Sequence, residues 1–464
     1  MSPLTTPFPL DLATLKSQIS SGEIDTILVV MPDTYGRLLG KRLTAKYFLD
    51  QCSSETAGST HGCNYLLTVN LEMDPLEGFS LASWDQGYGD FEMRPDLSTL
   101  RLLPWQKNAA MVICDVYKED GSLVDEAPRS ILRRQLQRLE QLGLQSFMAS
   151  ELEFFLFNTT YPAAFASNYA SLTPSSDYRI DYHVMQPTRD EAIFHAIRQQ
   201  MPAAGVEVES TKGEWGRGQH EVNFVYSAPL PMADGHCVFK QGAKEIADAQ
   251  GKSLSFMPKI FSTEAGNSCH IHISIWKDNQ NLFANNTPPA TNNKQSEYFR
   301  QFLGGLIKYS RELSYFFAPT VNAYKRYQPG SWAPTKMAWA HDNRTTGFRV
   351  VGHGKSMRIE NRMPGGDANP YLAFAAMIAA GLAGVEEKLD CGEPYKGNAY
   401  TDDKLQALPT SLKEAADLLE KSPLARQALG DNVVGFYVHT ARKETEAFES
   451  AVTDWERVRY FERI

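Results

Sequence analysis

Two glutamates on one short apolar stretch, Ser146–Phe157 (SFMASELEFFLF), have the types and spacing to do chemistry. Apolar and aromatic residues dominate the stretch and Gly and Pro are absent, which predicts a β-strand. Side chains alternate between the faces of a strand, so Glu151 and Glu153 point the same way. Two carboxylates on a buried strand repel each other and lose hydration unless a cation lies between them. The pair therefore indicates either a metal site or a sheet face that meets solvent.

A second group of polar and ionisable side chains follows, on predicted strand faces or in loops. Its members are Glu214, Glu221, His270, His272, Ser274, Arg326, Arg344, Arg349, Arg358, Glu360 and Arg362. Taken alone, each has an ordinary structural explanation, such as an ion-pair ladder or a solvated loop. Taken together, carboxylates with at most one His suit Mg²⁺ or Mn²⁺ better than Zn²⁺. Many Arg beside such an ion match the needs of phosphoryl transfer, and no GxxxxGK[ST] motif is present.

These residues must be positioned by a mixed set of strands and helices. The residue patterns predict helices over 11–22, 46–51, 128–142, 188–200, 232–250, 296–316 and 369–389 and through most of the chain from residue 410. Strands are predicted over 24–30, 65–69, 110–116, 146–157, 254–258, 270–276 and 358–362. Residues 53–64 are predicted to form a loop, 158–178 a flexible excursion and 319–337 a long aromatic loop. We expect two domains, 1–115 and 116–464.

Composition restricts the class of protein. A chain of 464 residues with 42% hydrophobic residues suggests one large or two ordinary globular domains. The net charge of −9, without a basic block, argues against nucleic-acid binding. The longest apolar run, Leu372–Val385, is too short to span a bilayer and predicts a buried helix, so no membrane association is expected. No secretory signal is visible, and six scattered cysteines without CxxC predict reduced thiols and a cytoplasmic location.

Six motifs resemble the glutamine synthetase family, in particular its bacterial long-chain type and the γ-glutamylamine- and γ-glutamylpolyamine-forming relatives of that type. They are ELEFF at 151–155, the E-x6-E pair at 214–221, NSCHIH at 267–272, NAYKRYQPG at 322–330, NRTTGFR at 343–349 and RIENR at 358–362, followed by DANPYLAFAA. The motifs stand in the family's order and span roughly residues 25–464. Any one of them is weak evidence, whereas the set is highly specific.

The resemblance implies an α+β fold with a small N-terminal β-grasp domain and a larger catalytic domain of antiparallel sheet and helices. It implies a homo-oligomer, a dodecamer of two hexameric rings, with active sites between neighbouring subunits. The family joins glutamate to an amine nitrogen. The γ-carboxylate attacks ATP to give γ-glutamyl phosphate, and the amine then displaces phosphate. The expected ligands are glutamate, an amine, ATP and two or three Mg²⁺ or Mn²⁺ ions per site.

The resemblance also assigns roles to single residues. Glu153, Glu214 and Glu221 would hold one divalent ion, and Glu151, His270 and Glu360 a second. Glu209, His272, Ser274 and Lys355, with Arg349 and Arg358, fall at nucleotide positions. Gly266, Arg326, Arg344 and Arg362 fall at substrate-binding positions. Arg344, Arg349 and Arg358 would stabilise phosphate charge, and Trp332 is added as a catalytic candidate. On these roles, Glu151 serves the phosphates and Glu153 the glutamate side.

Two departures concern the amine. The ammonia-using enzymes carry an Asp in an F-D-G-S-S motif, which has no counterpart near Ser53–Asn64, and a flap Glu where this chain has Trp332. An alkylammonium with a pKa of about 10.4 lies roughly 3.4 units above pH 7, which puts its neutral form about 4.6 kcal/mol uphill. Losing both acids and gaining an indole favours a larger amine, held by apolar or cation–π contact. The alternative for Trp332 is a packed loop anchor.

Three hypotheses follow. The first is an ATP-dependent ligase that forms a γ-glutamyl amide with an organic amine, which could be a monoamine, ethanolamine, a polyamine or an aromatic amine. The second is a glutamine synthetase that uses ammonia. The third is a catalytically silent assembly or regulatory protein, which the full set of acidic and His ligand positions argues against.

Overall fold

The computed structural model describes residues 9–52, 58–284 and 295–464. The strands in these ranges are β1 (Thr26–Pro32), β2 (Leu38–Thr44), β3 (Thr60–Cys63), β4 (Asp90–Pro95), β5 (Arg101–Leu102), β6 (Ala109–Tyr117), β7 (Gln145–Phe157), β8 (Val208–Gly213), β9 (Gln219–Phe224), β10 (Ser253–Ser255), β11 (Cys269–Lys277), β12 (Gln280–Asn281), β13 (Trp339–His341), β14 (Phe348–Val351) and β15 (Arg358–Asn361). The α-helices are α1 (Leu12–Ser20), α2 (Ala45–Cys52), α3 (Pro128–Gln141), α4 (Tyr161–Ala166), α5 (Glu191–Ala203), α6 (Pro229–Ala249), α7 (Glu297–Tyr309), α8 (Pro370–Glu386), α9 (Leu412–Glu420), α10 (Pro423–Leu429), α11 (Asp431–Ser450) and α12 (Asp454–Tyr460).

The strands form two sheets. The smaller has the order β2-β1-β6-β4-β3, with β5 beside β6, and its central strands β1 and β6 run parallel. The larger has the order β13-β14-β15-β11-β7-β9-β8, with β10 beside β7 and β12 beside β11. Its pairs are antiparallel except β13 with β14. This confirms the predicted α+β class. The small sheet ends at Tyr117 and the large one begins at Gln145, while the domain bounds 1–115 and 116–464 stay a prediction.

Helix α8 is buried along nearly its whole length. Pro370–Gly384 is buried throughout, as the apolar run predicts. Its glycines let α7 approach closely: a Cβ on Gly384 would lie 2.2 Å from the carbonyl oxygen of Gln301 of α7. The side chain of Asn369 caps α8 and also donates to the carbonyls of Asp33 and Thr34, both at 3.1 Å. No helix in the described ranges is both long and apolar enough to cross a membrane.

Three local predictions were wrong or incomplete. Residues 65–69 were predicted as a strand, but Asn64–Leu67 forms a 3₁₀ turn that buries Leu67, since tertiary packing overrides a short apolar run. The predicted loop at 53–64 contains β3, which is set by its pairing with β4, and residues 53–57 lie outside the described ranges. The predicted excursion at 158–178 contains α4, which Thr160 caps.

A buried ion network joins helices α3 and α6 to the smaller sheet. Arg129 of α3 is 2% exposed and contacts Asp96 at 2.8 Å, Asp115 at 2.5 Å and Asp234 of α6 at 3.0 Å. Arg133 adds contacts to Asp96 at 2.8 Å and Asp115 at 2.9 Å. Burial alone would lower the pKa of Arg129, but the aspartates outweigh it and raise that pKa. Acids and bases here neutralise one another within the chain.

Candidate active site

The register of the larger sheet brings the predicted metal ligands together. On one side of β7, Glu151 lies opposite His270 of β11. On the other side, Glu153 lies opposite Glu221 of β9. Glu214 directly follows the adjacent strand β8. Because these strands are neighbours, side chains far apart in sequence share one face of the sheet.

A first cluster consists of Glu153, Glu214 and Glu221, which each offer one carboxylate oxygen within 4.8 Å of the others. Burial, followed by repulsion from Glu214, raises the pKa of Glu153 to about 8. Burial, followed by the neighbouring carboxylates, raises the pKa of Glu221 to about 10. Glu153 Oε2 accepts from the backbone N–H of Ser268 at 2.7 Å. The cluster holds more negative charge than the surrounding side chains neutralise, which suits a hard divalent cation.

A second cluster is centred on Glu151. Its Oε2 lies 3.1 Å from His270 Nδ1 and its Oε1 lies 2.8 Å from His272 Nε2. His270 Nδ1 is also 3.5 Å from Glu360 Oε1. In two sets of residues here, the possible ligand atoms lie within 4.8 Å of one another: Glu151 with Glu221 and His270, and Glu151 with His272 and Glu360. His272, predicted at a nucleotide position, therefore lies within the second cluster.

Electrostatics keep the second cluster ionised. Burial would raise the pKa of Glu151, but His272 and His270 outweigh it and hold that pKa well below its usual range. Burial likewise opposes ionisation of Glu360, but Arg362 in particular lowers its pKa to about 2. Burial lowers the pKa of His270, which favours its neutral, metal-binding form.

The predicted arginines border these clusters with one exception. Arg349 Nη1 donates to Glu360 Oε2 at 2.9 Å, and Arg362 Nη1 bonds the other oxygen of Glu360. Arg344 lies in the same cavity wall. Arg358 lines a neighbouring cavity and donates through Nε to His272 Nδ1 at 3.2 Å. Four guanidinium groups thus surround the space where phosphate charge would develop.

Arg326, predicted to hold glutamate, does not line the cavity wall among the described residues. It is 1% exposed and donates to Ser268 Oγ at 3.2 Å and to the carbonyl of Met363. Its chain packs behind Gly266, where an added Cβ would lie 2.5 Å from Arg326 Cγ. Gly266 itself lies in the wall, and Arg326 supports the wall from behind.

Two cavities meet at this site. The polar cavity, of about 420 Å³, is lined by Glu151, Glu153, Glu214, Glu221, Gly266, His270, Trp332, Arg344, Arg349 and Arg362 among others. The aromatic cavity, of about 470 Å³, is lined by Phe147, Tyr226, His272, Ser274, Trp276, Lys355 and Arg358 among others. Glu151, Glu209 and Asn223 belong to both walls. Glu151 therefore stands where the contents of the two cavities meet.

The aromatic cavity has the features of a site for a planar base with phosphates. Phe147 makes edge contacts with Trp276 and Tyr226 at centroid distances of 5.6 and 5.7 Å. Ser274 Oγ accepts from Trp276 Nε1 at 2.9 Å, which fixes the indole. Lys355 and Arg358 place positive charge at the same wall.

The polar cavity also contains residues that sequence reasoning missed. Lys212 Nζ forms an ion pair with Glu214, lies 3.4 Å from Asp181 Oδ1 and sits 4.3 Å from the centre of the Tyr182 ring. Lys212 precedes Glu214 by two residues, so the alternation along β8 could have placed it on the same face. Asp181 and Tyr182 come from a loop whose position no local pattern indicates.

Trp332 lies in the wall of the polar cavity with 48% of its surface exposed. Its ring is 5.8 Å from that of Trp215, in an edge contact. Its backbone φ of 67° is in the left-handed region, which is costly for a bulky residue and is concentrated at functional sites. These features favour a residue that faces a ligand over a packed loop anchor.

The sequence resembles known proteins along nearly its whole length. Residues 125–460 match the family model described as glutamine synthetase, catalytic domain. γ-Glutamylethanolamide synthetase GlnA4 of Streptomyces coelicolor is 50% identical over 98% of this chain and 96% of its own. Glutamate–isopropylamine ligase of a Pseudomonas species is 35% identical over 96% and 97%. A glutamine synthetase of Methanocaldococcus jannaschii is 36% identical over 80% and 83%.

A solved structure of apo GmaS superimposes with a TM-score of 0.82 at 28% identity, over 97% of this chain and 99% of that one. The GmaS/ADP complex in its first conformation gives a TM-score of 0.81 over 96% and 99%. The chain therefore belongs to the glutamine synthetase family of ATP-dependent carbon–nitrogen ligases, and it resembles the γ-glutamylamine-forming members among them.

Proposed function

We propose that this chain joins the γ-carboxylate of L-glutamate to an organic amine, with conversion of ATP to ADP and phosphate. The observation that carries the proposal is Trp332. A half-exposed indole, backed by Trp215, stands beside the carboxylate clusters in the wall of the polar cavity. The resemblance to the family implies an acid at this position in the ammonia-using enzymes. An aromatic wall provides contact area for the carbon atoms of an amine, which ammonia lacks.

The two cavities support a division of substrates. ATP would lie in the aromatic cavity with its base near Phe147 and its phosphates directed toward Glu151. Glutamate and the amine would share the polar cavity. The carboxylate clusters fit two or three divalent ions, and we favour Mg²⁺ or Mn²⁺ because most ligand atoms are hard oxygens. Ions bound there would neutralise phosphate charge and orient the γ-phosphate.

The side chains have separate tasks in the two chemical steps. In the first, a γ-carboxylate oxygen of glutamate attacks the γ-phosphorus of ATP, and ADP leaves. Arg344, Arg349 and Arg358 surround this region, and preorganised cations of this kind stabilise charge that develops during transfer. In the second, the amine nitrogen attacks the acyl carbon, the amine loses a proton and phosphate leaves. Arg362, which is held by Glu360, would fix glutamate for both steps.

The test is an ADP-release assay with glutamate, ATP and a panel of amines: ammonium, ethanolamine, a short alkylamine, a polyamine and aniline. We expect turnover with one or more organic amines, and mass spectrometry should identify the γ-glutamyl amide. Turnover with ammonium alone would contradict the proposal and favour a glutamine synthetase. No turnover, together with failure to bind Mn²⁺ and ATP by calorimetry, would indicate a silent protein.

The assembly and location are also proposals. Family membership supports a homo-oligomer of two hexameric rings, which mass photometry of the purified protein would test. The cytoplasmic location stays a prediction from the pattern of cysteines.

A further inference from the structure

One wall of the polar cavity is made of residues that belong neither to the carboxylate clusters nor to the arginine set. It consists of the aromatic residues Tyr182, Trp215 and Trp332 and the ion pair Lys212–Asp181. We call these five residues the amine wall. On the proposed function, the carbon chain of the amine lies against it, because its aromatic rings provide apolar surface in the polar cavity.

Lys212 puts a fixed positive charge into the amine wall. Its ammonium group contacts Glu214 and donates to the carbonyl of Gly213 at 3.2 Å and to Asp181 Oδ1 at 3.4 Å. It also faces the Tyr182 ring. A lysine ammonium that contacts two carboxylates is charged throughout the physiological range.

A second cation stands behind the same wall. The guanidinium carbon of Arg179 lies 4.6 Å from the centre of the Trp215 ring. Asp181 is the acidic member of the amine wall, and its Oδ1 already faces Lys212. The wall therefore offers aromatic surface and positive charge, with no carboxylate that is free of a cationic partner.

The charges of the amine wall restrict which amines can act as the acceptor. An amine that carries a second ammonium on its tail would bring that charge within several ångströms of Lys212. Like charges at such distances inside a protein reduce binding by about tenfold or more. A hydroxyl tail, in contrast, can accept a hydrogen bond from the Lys212 ammonium, and an alkyl tail can pack on the indoles.

We propose that Lys212 is a specificity-determining residue that restricts the acceptor to monoamines with an uncharged tail and excludes diamines and polyamines. The inference rests on the proposed function and narrows its substrate class. It predicts that charge, and not length, decides which amines of four carbons are used.

The test compares three acceptors that share a four-carbon chain: n-butylamine, 1,4-diaminobutane and N-acetyl-1,4-diaminobutane. For the unaltered enzyme we expect kcat/KM to be at least tenfold higher for butylamine than for the diamine, with the acetylated diamine also preferred over the diamine. In Lys212→Met, which keeps the chain length and removes the charge, the preference for butylamine over the diamine should fall about tenfold. Because the readout is a ratio, a change in metal binding that affects all amines equally cancels.

A matched control is Lys308→Met. Lys308 lies on α7, outside both cavities, and pairs with Glu387. Its preference ratio should equal that of the unaltered enzyme. The comparison of the three acceptors with the unaltered enzyme needs no variant, so it remains decisive if Lys212→Met does not fold.

Each other outcome contradicts the inference in a distinct way. Equal use of butylamine and the diamine by the unaltered enzyme would overturn it while leaving the proposed function intact, and would point to Asp181 as a site for the second ammonium. Rejection of all three acceptors, with use of shorter amines, would show that size decides. An unchanged ratio in Lys212→Met would assign the selectivity elsewhere. Use of ammonium alone would remove the proposed function itself.

Discussion

Two buried clusters of charge in this molecule differ in how their acids are paired. Around Arg129, two guanidinium groups meet three aspartates, and every contact lies between 2.5 and 3.0 Å. Around Glu221, four carboxylates share a face of the larger sheet, and two of them have pKa values raised to about 8 and 10. In the first cluster, burial would raise the pKa of Asp96, but Ser98 and then Arg129 outweigh it and lower that pKa.

The difference teaches how a structural cluster can be distinguished from a functional one. Each aspartate of the Arg129 network has a guanidinium partner within the chain, so the network holds α3 and α6 beside the smaller sheet. The cluster at Glu221 holds charge that a cation from outside must neutralise, and the buried acids there destabilise the folded chain when they ionise without one. Strongly perturbed acids in a cavity are typical of functional sites.

The largest effect should come from Glu221→Gln. The amide keeps the size of the side chain but removes a ligand charge, so we expect kcat/KM for amide formation to fall about a thousandfold or more, some 4 kcal/mol of activation free energy. Thermal stability in EDTA should stay the same or rise, because a strained buried acid is lost. Glu387→Gln, in an exposed pair with Lys308, is the control and should change neither quantity. A large loss of stability in Glu221→Gln would place this cluster with the structural one.

The opposite behaviour is expected of Arg129→Met. Removing the shared cation leaves three aspartates without their main partner, and unfolding in urea should show a loss of about 3–5 kcal/mol. Arg133→Met is the matched control, since Arg133 contacts two of the same aspartates but is 31% exposed, and should cost about 1 kcal/mol or less. Equal small losses in both variants would mean that the network contributes little.

A smaller effect concerns pH. The raised pKa values mean that Glu153 and Glu221 bind protons in the folded, metal-free chain at pH 7, whereas in the unfolded chain they would titrate near 4.3. The folded state therefore binds more protons, and its stability falls as pH rises from about 4.5 toward 8–10. Metal binding must release these protons, so Mn²⁺ affinity should rise about tenfold or more per pH unit between pH 6 and 8.

Calorimetry in buffers with different heats of ionisation measures this proton release directly. The Arg129 network has the opposite sign: because the pKa of Asp96 is lowered, its stabilisation is present above the unfolded value and is lost as pH falls through the folded one. Mn²⁺ binding without proton release would show that the carboxylates were already ionised.

The smallest difference lies inside the carboxylate-rich region. Glu153→Ala should raise KM for glutamate about tenfold relative to Glu151→Ala, which should mainly lower the rate of phosphoryl transfer. The reason is position: Glu153 lies only in the wall of the polar cavity, whereas Glu151 also borders the aromatic cavity. Initial rates at varied glutamate and ATP would measure both parameters. The same kinetic defect in both variants, with equal loss of metal binding, would rule out this division.

Much of the fold could be predicted because its strands carry strong local signals. The pattern of SFMASELEFFLF is that of a strand, and β7 spans Gln145–Phe157 in the structure. The apolar run at Leu372–Val385 likewise predicted the buried helix α8. The errors at 53–69 have a shared cause. A strand of four residues such as β3 depends on its partner β4, and no pattern within so short a segment records that pairing.

The candidate site was predicted in part. Alternation along a strand places Glu151 with Glu153 and His270 with His272, and the motif set supplied the remaining positions. The contacts of Arg326 could not be predicted, because only the packing of its chain behind Gly266 shows that it supports the wall. The approach of Asp181 to Lys212 was also out of reach, since it depends on the path of a loop with no repeating pattern.

The meeting of the two cavities at Glu151, Glu209 and Asn223 has a consequence for the order in which substrates bind and products leave. Each cavity has wall residues that the other lacks, so on the proposed function nucleotide and amide need not leave through the same opening. The amide could dissociate past Trp332 while ADP stays bound, and another glutamate could bind before the nucleotide is exchanged. The order of binding and release is then set by the dissociation rate of each ligand, and not by competition for one opening.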